Sequence, residues 1–402
     1  MNKRTIKLLT TLGSASILVG GCGLVAGPQK PAPVKKATQA TRKAANKATT
    51  TVKKAGTSGT TTAPRPAHLK VIAFYDQTMA HVSPDPFTFV KAHPSLVTYL
   101  SPFWYEVTPT GTVIAKPEGN AATLAKEAHL PLMPLFNNYM GTDGMLSTAA
   151  LRTKAVDSIV QLVTSHHYAG VQIDFQQLKP ADRSLLVMFM NELHAKMPAS
   201  AAISMSVVPL TAGTGQAGAY DLKSLAPDVS SMVLMAYDLH SNGTPPGPVS
   251  PYPWVKQSIN LALKAGVSPS KLYLGIADYG YLWKAGSDKA TTIPLKVMYQ
   301  HKYGAYTWDP TNKEAYDHYT SHGVSYTLWF VNDRGAADRI KLAEKDHLGG
   351  VGFWRVGYED AQWWNRVAKA LNNTAKKSAP AAAGAKASAM APPASPQHRS
   401  VT

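Results

Sequence analysis

The strongest constraint on the fold of this chain is a series of eight short, apolar, β-rich runs separated by segments with helical periodicity. The runs are Val71–Tyr75, Leu96–Pro102, Leu130–Phe136, Gly170–Phe175, Ala202–Val207, Met232–Tyr237, Leu272–Ile276 and Gly350–Trp354. Several are apolar throughout, for example Val233–Ala236, as expected of strands that are covered by helices on both faces. Strands that alternate with helices in this way are typical of βα units on a parallel sheet.

The segments between the runs favour a closed barrel. Val156, Ile159 and Val163 recur at the spacing of one helix face, which is the pattern of a helix packed on a core. Eight βα units in about 300 residues predict an α/β protein whose residues 67–372 form a (β/α)8 TIM barrel. We expect a small insertion before the last strand, at roughly residues 280–330.

A doubly wound open sheet is the main competing fold, because the letters of a dinucleotide-binding motif occur at Gly213–Gly218, with Asp238 about 20 residues further on. However, Val208–Ala212 separates these glycines from the preceding run, so they cannot form the tight strand-to-helix turn that holds a pyrophosphate. We therefore expect no cofactor.

The excess of positive charge lies at the two ends of the chain. The formal net charge is +17, yet residues 1–66 and 373–402 contain basic residues and no acidic ones, which leaves residues 67–372 nearly neutral. Residues 23–66 are rich in Lys, Ala, Thr and Pro, and residues 373–402 in Ala, Pro and Ser. Such compositions bury too little apolar surface to fold, so we predict a disordered linker and a disordered tail.

The first 22 residues predict export. A basic start and a short apolar run, Leu8–Val19, precede Cys22, the single cysteine of the chain. The run is too short to span a bilayer, and the position of Cys22 resembles the lipid attachment site of bacterial lipoproteins. We expect an extracytoplasmic protein that is anchored by lipid at Cys22 to the cell membrane or spore envelope. The basic linker is either a solvated spacer or an arm that binds anionic lipid or wall polymers.

In a barrel, functional side chains gather where the strands end and the βα loops begin. The predicted strand ends contain carboxylates, amides and aromatic rings, at Asp76, Phe103–Glu106, Asn137–Tyr139, Asp174–Gln176, Tyr237–Asp238, Asp278–Tyr279 and Trp354–Arg355. Aromatic rings stack on sugar rings, and carboxylates and amides bind hydroxyl groups, so this combination indicates a carbohydrate site. The candidate substrate-binding residues are Trp354, Tyr279, Trp104 and Asn137.

Four segments resemble glycoside hydrolase family 18, and in particular its bacterial branch of spore germination and cortex-lytic proteins. Tyr168–Leu178 resembles the family's fourth-strand motif, and Leu234–Asp238 resembles its sixth-strand Met-x-Tyr-Asp. Lys271–Gly280 and Gly349–Asp360 resemble the seventh and final strands. The resemblance spans nearly all of residues 68–371, in the expected order and spacing.

The resemblance implies a chitinase-like, substrate-assisted glycosidase in which the acetamide oxygen of the sugar attacks the anomeric carbon. It implies that Asp174 orients the acetamide, that Tyr237 and Asp238 help to hold it, and that Trp354 lies beneath the sugar. The implied ligand is a glycan that contains N-acetylglucosamine, such as peptidoglycan or a chitin-like polymer.

The chain departs from the family pattern at the position of the general acid. The family has a glutamate there, and this chain has Gln176; Ala169 and Gln172 also stand where the family often has acidic residues. A carboxamide cannot release a proton to a departing alkoxide, so we expect hydrolysis to be impaired or lost. Three interpretations remain open: a sugar-binding pseudoenzyme, an active glycosidase in which Asp238, Asp278 or Glu106 supplies the proton, and a site that has lost its role.

Other functional classes have weaker support. His318 and His322 have the spacing of a helix face, but no third ligand or cysteine pair accompanies them, and we predict no metal site. The chain has no Gly-x-Ser-x-Gly motif for a hydrolase nucleophile. Export makes nucleic acid an unsuitable partner for the basic linker. A non-catalytic scaffold of the envelope or spore coat remains the alternative from a different class.

Overall fold

The computed structural model describes residues 68–76, 87–211, 215–301 and 306–378. The predicted signal peptide, Cys22 and the linker of residues 23–66 lie outside these ranges, as does most of the predicted tail. Among the described residues, no helix is long and apolar enough to cross a membrane.

Fourteen strands occur in the described part of the chain, and eight of them form the predicted barrel. In chain order, the strands are β1 Lys70–Tyr75, β2 Tyr99–Val107, β3 Val113–Ala115, β4 Leu135–Asn138, β5 Gly170–Asp174, β6 Ala202–Val207, β7 Ser231–Leu234, β8 Leu272–Ala277, β9 Tyr279–Lys284, β10 Ala290–Pro294, β11 Thr307–Asp309, β12 Glu314–Ser321, β13 Val324–Phe330 and β14 Gly350–Trp354. The barrel strands pair in the order β1-β14-β8-β7-β6-β5-β4-β2, and the pairing of β2 with β1 closes the ring. All eight pairings are parallel, so the (β/α)8 prediction is confirmed.

Helices surround this ring, and between them short 3₁₀ turns occur. The helices of the described residues are α1 Thr88–Ala92, α2 Ala121–Glu127, α3 Ala149–Ser165, α4 Arg183–Lys196, α5 Leu222–Leu225, α6 Tyr252–Lys264, α7 Leu295–His301, α8 Asp333–Lys345 and α9 Ala361–Ser378. The predicted stripe on α3 is buried at Val156, Ile159 and Val163. Helix α9 continues to Ser378, past residue 373, where the tail is predicted to begin.

Two strands begin later than predicted, and prolines explain the difference. Pro94–Leu96 forms a 3₁₀ turn, so β2 starts at Tyr99. Pro131 and Pro134 lack an N–H to donate to a ladder, so the regular part of β4 starts only at Leu135.

The insertion lies before the last barrel strand, as predicted, and it forms a second sheet. Strands β10-β9-β13-β12-β11 are antiparallel neighbours, and α7 lies between β10 and β11 in the chain. A single residue, Asp278, separates the end of β8 from the start of β9. The second sheet therefore begins directly at the mouth of the barrel. Tyr279 and Tyr281 therefore reach the barrel site from the first strand of the insertion.

The barrel separates two groups of buried side chains. The inner group consists of Ile72, Phe74, Met133, Leu135, Val233 and Tyr273, with Phe103 and Trp354 packed against it. The larger, outer group lies between the strands and the helices. Side chains alternate along a strand, so residues of the inner group point into the barrel and residues of the outer group point toward the helices.

Candidate functional site

A row of polar side chains crosses three neighbouring strands at the mouth of the barrel. Glu106 pairs with Asn137, and Asn137 pairs with Asp174, on strands β2, β4 and β5. Paired residues of adjacent parallel strands share a face, so these side chains lie side by side above the inner group. The structure thus brings Asn137 and Asp174 together, as their positions at strand ends predicted.

Trp104, by contrast, does not lie at the site. The register of β2 against β4 shifts between Phe103 and Tyr105, so the extra residue turns Trp104 outward. Its ring is 1% exposed and belongs to the outer group, and its indole nitrogen donates to the carbonyl of Glu118 at 3.0 Å. The prediction that Trp104 binds substrate is therefore wrong, because the alternation of the strand breaks at this residue.

Gln176 contacts Asp174 directly. Its amide nitrogen lies 3.1 Å from Oδ1 and 3.0 Å from Oδ2 of Asp174, and 3.7 Å from the sulfur of Met235. A carboxylate only accepts hydrogen bonds, so the amide must direct Nε2 at it. This nitrogen is therefore engaged with Asp174.

Asn138 fixes the backbone that carries Gln176. The N–H of Gln176 donates to Asn138 Oδ1 at 2.8 Å, and Asn138 Nδ2 donates to the Gln176 carbonyl at 2.7 Å and to the Thr142 carbonyl at 2.9 Å. Asn138 is 2% exposed. Its position at a strand end placed it near the site, but only the structure shows this bridging role.

The carboxyl of Asp174 is buried, accepts from Gln176 and lies beside the hydroxyl of Ser206. Burial raises its pKa above the ordinary value for aspartate, while the hydrogen bonds from Gln176 and Ser206 act in the opposite direction. These donors favour the ionised form, so Asp174 is arranged as an acceptor.

A second carboxyl, Asp238, lies at the end of β7 with two tyrosines. Tyr279 Oη donates to Asp238 Oδ1 at 2.6 Å, and Tyr281 Oη donates to the same oxygen at 3.1 Å. Burial raises the pKa of Asp238 to about 6, and the two tyrosine bonds moderate this rise. Tyr279 is itself buried and its ring meets that of Tyr237 edge-on at 6.4 Å, so it braces the Tyr237–Asp238 pair.

Gly275 makes room for this pair. A Cβ at Gly275 would come within 2.9 Å of the Tyr237 ring and 2.8 Å of the Leu234 carbonyl oxygen. Only glycine at this position of β8 lets the Tyr237 ring lie where it does.

Trp354 forms part of the floor of the barrel mouth. It ends β14, packs against the inner group and lies 5.7 Å from the ring of Phe74. The following residue, Arg355, is buried and forms an ion pair with Asp76 and a 2.7 Å hydrogen bond to Tyr358 Oη. These contacts of Arg355 fix the backbone next to Trp354.

Comparison with known proteins decides the family of this barrel. The family model described as glycosyl hydrolases family 18 matches residues 71–359. The chain belongs to glycosyl hydrolase family 18. The matched range contains the barrel from β1 to β14 and the whole insertion, so the resemblance stated from the motifs is confirmed.

Several relatives of this glycosyl hydrolase family 18 chain come from Bacillus species. The chain is 25% identical over 325 residues to a cortical fragment-lytic enzyme of Bacillus anthracis, covering 76% of this chain and 75% of that protein. It is 26% identical over 288 residues to the putative sporulation-specific glycosylase YdhD of Bacillus subtilis, covering 66% and 67% of the two chains.

Solved structures of the family share the fold. The C-terminal domain of a putative chitinase from Desulfitobacterium hafniense superposes with a TM-score of 0.68 at 25% identity, covering 77% of this chain and 99% of that one. The spore cortex-lytic enzyme SleL of Bacillus cereus superposes with a TM-score of 0.67 at 23% identity, covering 75% and 74% of the two chains.

The other carboxylates that sequence reasoning offered as acids in this family 18 barrel are differently placed. Glu106 forms a 2.7 Å ion pair with Lys116. Asp278 is fully buried and accepts from the backbone N–H of Arg355 at 2.5 Å. Asp238 follows β7, two strands around the ring from β5, and its carboxyl accepts from Tyr279 and Tyr281.

Three remaining sequence features can be located in the structure. His318 lies on β12 and His322 in the turn that follows it, so the two residues do not share a helix face. Trp363 and Trp364 of α9 are buried, with ring centroids 5.1 Å and 6.0 Å from Phe353, which confirms that they pack against the barrel. The Gly213–Gly218 segment lies partly outside the described residues, and residues 215–219 form a 3₁₀ turn.

Proposed function

We propose that the barrel mouth of this protein binds glycans that contain N-acetylglucosamine, and that it hydrolyses them poorly or not at all. The observation that carries the proposal is the amide of Gln176, whose nitrogen lies 3.0 Å and 3.1 Å from the two oxygens of Asp174. At this position the family motif has a glutamate.

The chemical consequence concerns proton transfer. A general acid that protonates the leaving oxygen contributes roughly 10²–10⁴-fold to the rate, and a carboxamide has no proton to give at neutral pH. The nitrogen of Gln176 is instead engaged with Asp174. In this proposal Gln176 holds the aspartate in place and does not act on the glycosidic bond.

The groups that bind the sugar are largely retained. Trp354 offers an aromatic face to a sugar ring, and Asp174, Tyr237 and Asp238 hold the acetamide. Asn137 lies beside Asp174 on the neighbouring strand and adds a hydroxyl contact. Ligand recognition therefore depends on the same face of the barrel as in the hydrolytic members of the family.

Peptidoglycan fragments are the ligand class that we favour. The proteins most similar in sequence include enzymes named for lysis of cortical fragments, and chitinases share the fold. We propose that the protein acts outside the cytoplasm, anchored by lipid at Cys22, with residues 23–66 as a spacer or a basic arm. Metabolic labelling with a fatty acid should mark the wild-type protein and not Cys22→Ala; equal labelling of both would exclude this anchor.

One observation favours a second candidate, an active glycosidase. Asp238 has a pKa of about 6, which is suitable for an acid at neutral pH. If Asp238 supplied the proton, the wild-type protein would release reducing ends from N-acetylglucosamine oligomers, and Asp238→Asn would abolish the release. In the pseudoenzyme proposal, neither protein releases them.

Sedimentation with insoluble peptidoglycan tests the binding site. Asp174→Ala and Trp354→Ala should each lower the bound fraction at least about 10-fold, which corresponds to about 1.4 kcal/mol. Matched controls are Asp157→Ala, on the exposed face of α3, and Trp308→Ala, on the insertion, and both should bind like wild type. Binding that survives both cleft substitutions and disappears when residues 23–66 are removed would refute the proposal and favour a scaffold.

A further inference from the structure

Ser206 lies beside Asp174 on the neighbouring barrel strand. Ile173 of β5 pairs with Met205 of β6, so the next residues, Asp174 and Ser206, point together into the barrel mouth. Ser206 is buried, and its hydroxyl faces the carboxyl of Asp174, whose pKa it lowers. Sequence reasoning did not identify this residue, because 31 positions separate it from Asp174 and no motif contains it.

Gln172 orients the Ser206 hydroxyl. The side chain of Gln172 is fully buried, and its Nε2 donates to Ser206 Oγ at 2.9 Å. A hydroxyl has one hydrogen and can accept on its lone pairs. Because Gln172 donates to the oxygen of Ser206, the hydrogen of Ser206 remains available for the neighbouring carboxyl of Asp174.

The chain of hydrogen bonds therefore runs in one direction and ends at Asp174. Gln172 donates to Ser206, Ser206 is placed beside Asp174 to donate to it, and Gln176 donates to Asp174 from its own strand end. A carboxylate has acceptor positions for about four donors, so these contacts leave room for a donor from a ligand. An acetamide N–H is such a donor.

Other charged groups lie further from Asp174. Asn137 separates it from Glu106, which is paired with Lys116, and strand β6 separates it from Asp238 and its two tyrosines. The causes that act on the ionisation of Asp174 are its burial and the donors Gln176 and Ser206. Removing one of these donors should thus have a measurable effect.

We propose that Ser206, oriented by Gln172, is a positioning residue that holds the Asp174 carboxylate as an acceptor for the ligand. The effect on ligand affinity rests on the proposed function, whereas the effect on Asp174 itself can be measured without a ligand.

The expected effects follow from the loss of one donor. Ser206→Ala removes a donor that favours the ionised carboxyl, so protonation becomes easier and the pKa of Asp174 rises. Binding that needs the carboxylate is then lost at a higher pH on acidification. The test ligand is a tetramer of N-acetylglucosamine. At neutral pH the affinity of the protein for this tetramer should fall about 10-fold.

Ser204 provides a matched control on the same strand. It lies one inward-facing position away, is fully buried, and accepts a 2.9 Å hydrogen bond from Ser231. Ser204→Ala therefore removes a buried hydroxyl from the same strand without removing a donor from Asp174. Ser206→Thr restores a hydroxyl and should return both the titration and the affinity toward wild type.

The experiment combines carbon-13 NMR titration of the aspartate carboxyls with calorimetry of tetramer binding. We expect the Asp174 midpoint to rise in Ser206→Ala only, together with weaker binding. Equal midpoints in Ser206→Ala and Ser204→Ala would overturn the proposal, whether or not affinity falls, since a merely structural role would leave the titration unchanged. If the midpoint rises but the wild-type protein binds no tetramer, the positioning role stands and the proposed function fails.

Discussion

Replacing Gln176 with glutamate should create a general acid. The nitrogen that this substitution replaces lies about 3 Å from both oxygens of Asp174, so two carboxyl groups would meet at that distance. At an effective dielectric constant of about 20, two unit charges 3 Å apart repel by about 5.5 kcal/mol. This energy corresponds to about four pKa units, so the pair retains one proton at neutral pH.

A retained proton at this position is what acid catalysis requires. We expect Gln176→Glu to release reducing ends from N-acetylglucosamine oligomers at least about 100-fold faster than wild type, the lower end of the range for general acids. Release would be followed with a reducing-sugar assay and by chromatography of the products. Affinity for the oligomer should change little, because Trp354 and the Tyr237–Asp238 pair are untouched.

Two variants make the experiment decisive. Gln177→Glu introduces the same charge one residue later and should remain inactive. Asp174→Asn combined with Gln176→Glu removes the orienting carboxylate and should cancel the gain. The reasoning is refuted if Gln176→Glu folds and binds the oligomer without gaining activity, or if Gln177→Glu gains as much.

Three further predictions concern the supports of the site. Because the pKa of Asp238 is about 6 and its unfolded value is near 3.8, the folded protein binds this proton more tightly, so stability falls as pH rises through this window. Urea unfolding should show that the free energy of unfolding of the wild type falls by about 1 kcal/mol between pH 5 and pH 7, and that this fall is absent in Asp238→Asn. The same pH dependence of the unfolding free energy in both proteins would contradict this prediction. Asn138→Ala leaves the Gln176 backbone groups without partners and should lower the free energy of unfolding by about 2 kcal/mol. Asn191→Ala removes a hydrogen bond to Asp228 outside the mouth and should not affect glycan binding. Gly275→Ala should displace Tyr237 and weaken tetramer binding measured by calorimetry, and unchanged binding would show that the ring does not contact the ligand.

The barrel was predictable from sequence because its strands are buried on both faces. Ala202–Val207 and Gly350–Trp354 have the bounds that their apolar runs predicted. The runs with prolines were misplaced, since the absence of an N–H at Pro131 and Pro134 is a local effect that apolar content does not report.

The site was only partly predictable. Asp174, Gln176, Tyr237 and Asp238 follow from contiguous motifs, and the structure brings the first two into contact. Trp104 was misassigned because a register shift reverses the direction of its side chain. Ser206 and Asn138 act across strands, and such roles depend on register and on hydrogen-bond direction, which a single sequence does not reveal.

The central claim is that this barrel holds its glycan without cutting it. The most direct test incubates the wild-type protein with a saturating amount of N-acetylglucosamine tetramer and determines the mass of the sugar recovered from the complex. Our account predicts intact tetramer bound to the protein after many hours. Dimers and monomers that accumulate at a rate close to that of Gln176→Glu would contradict it.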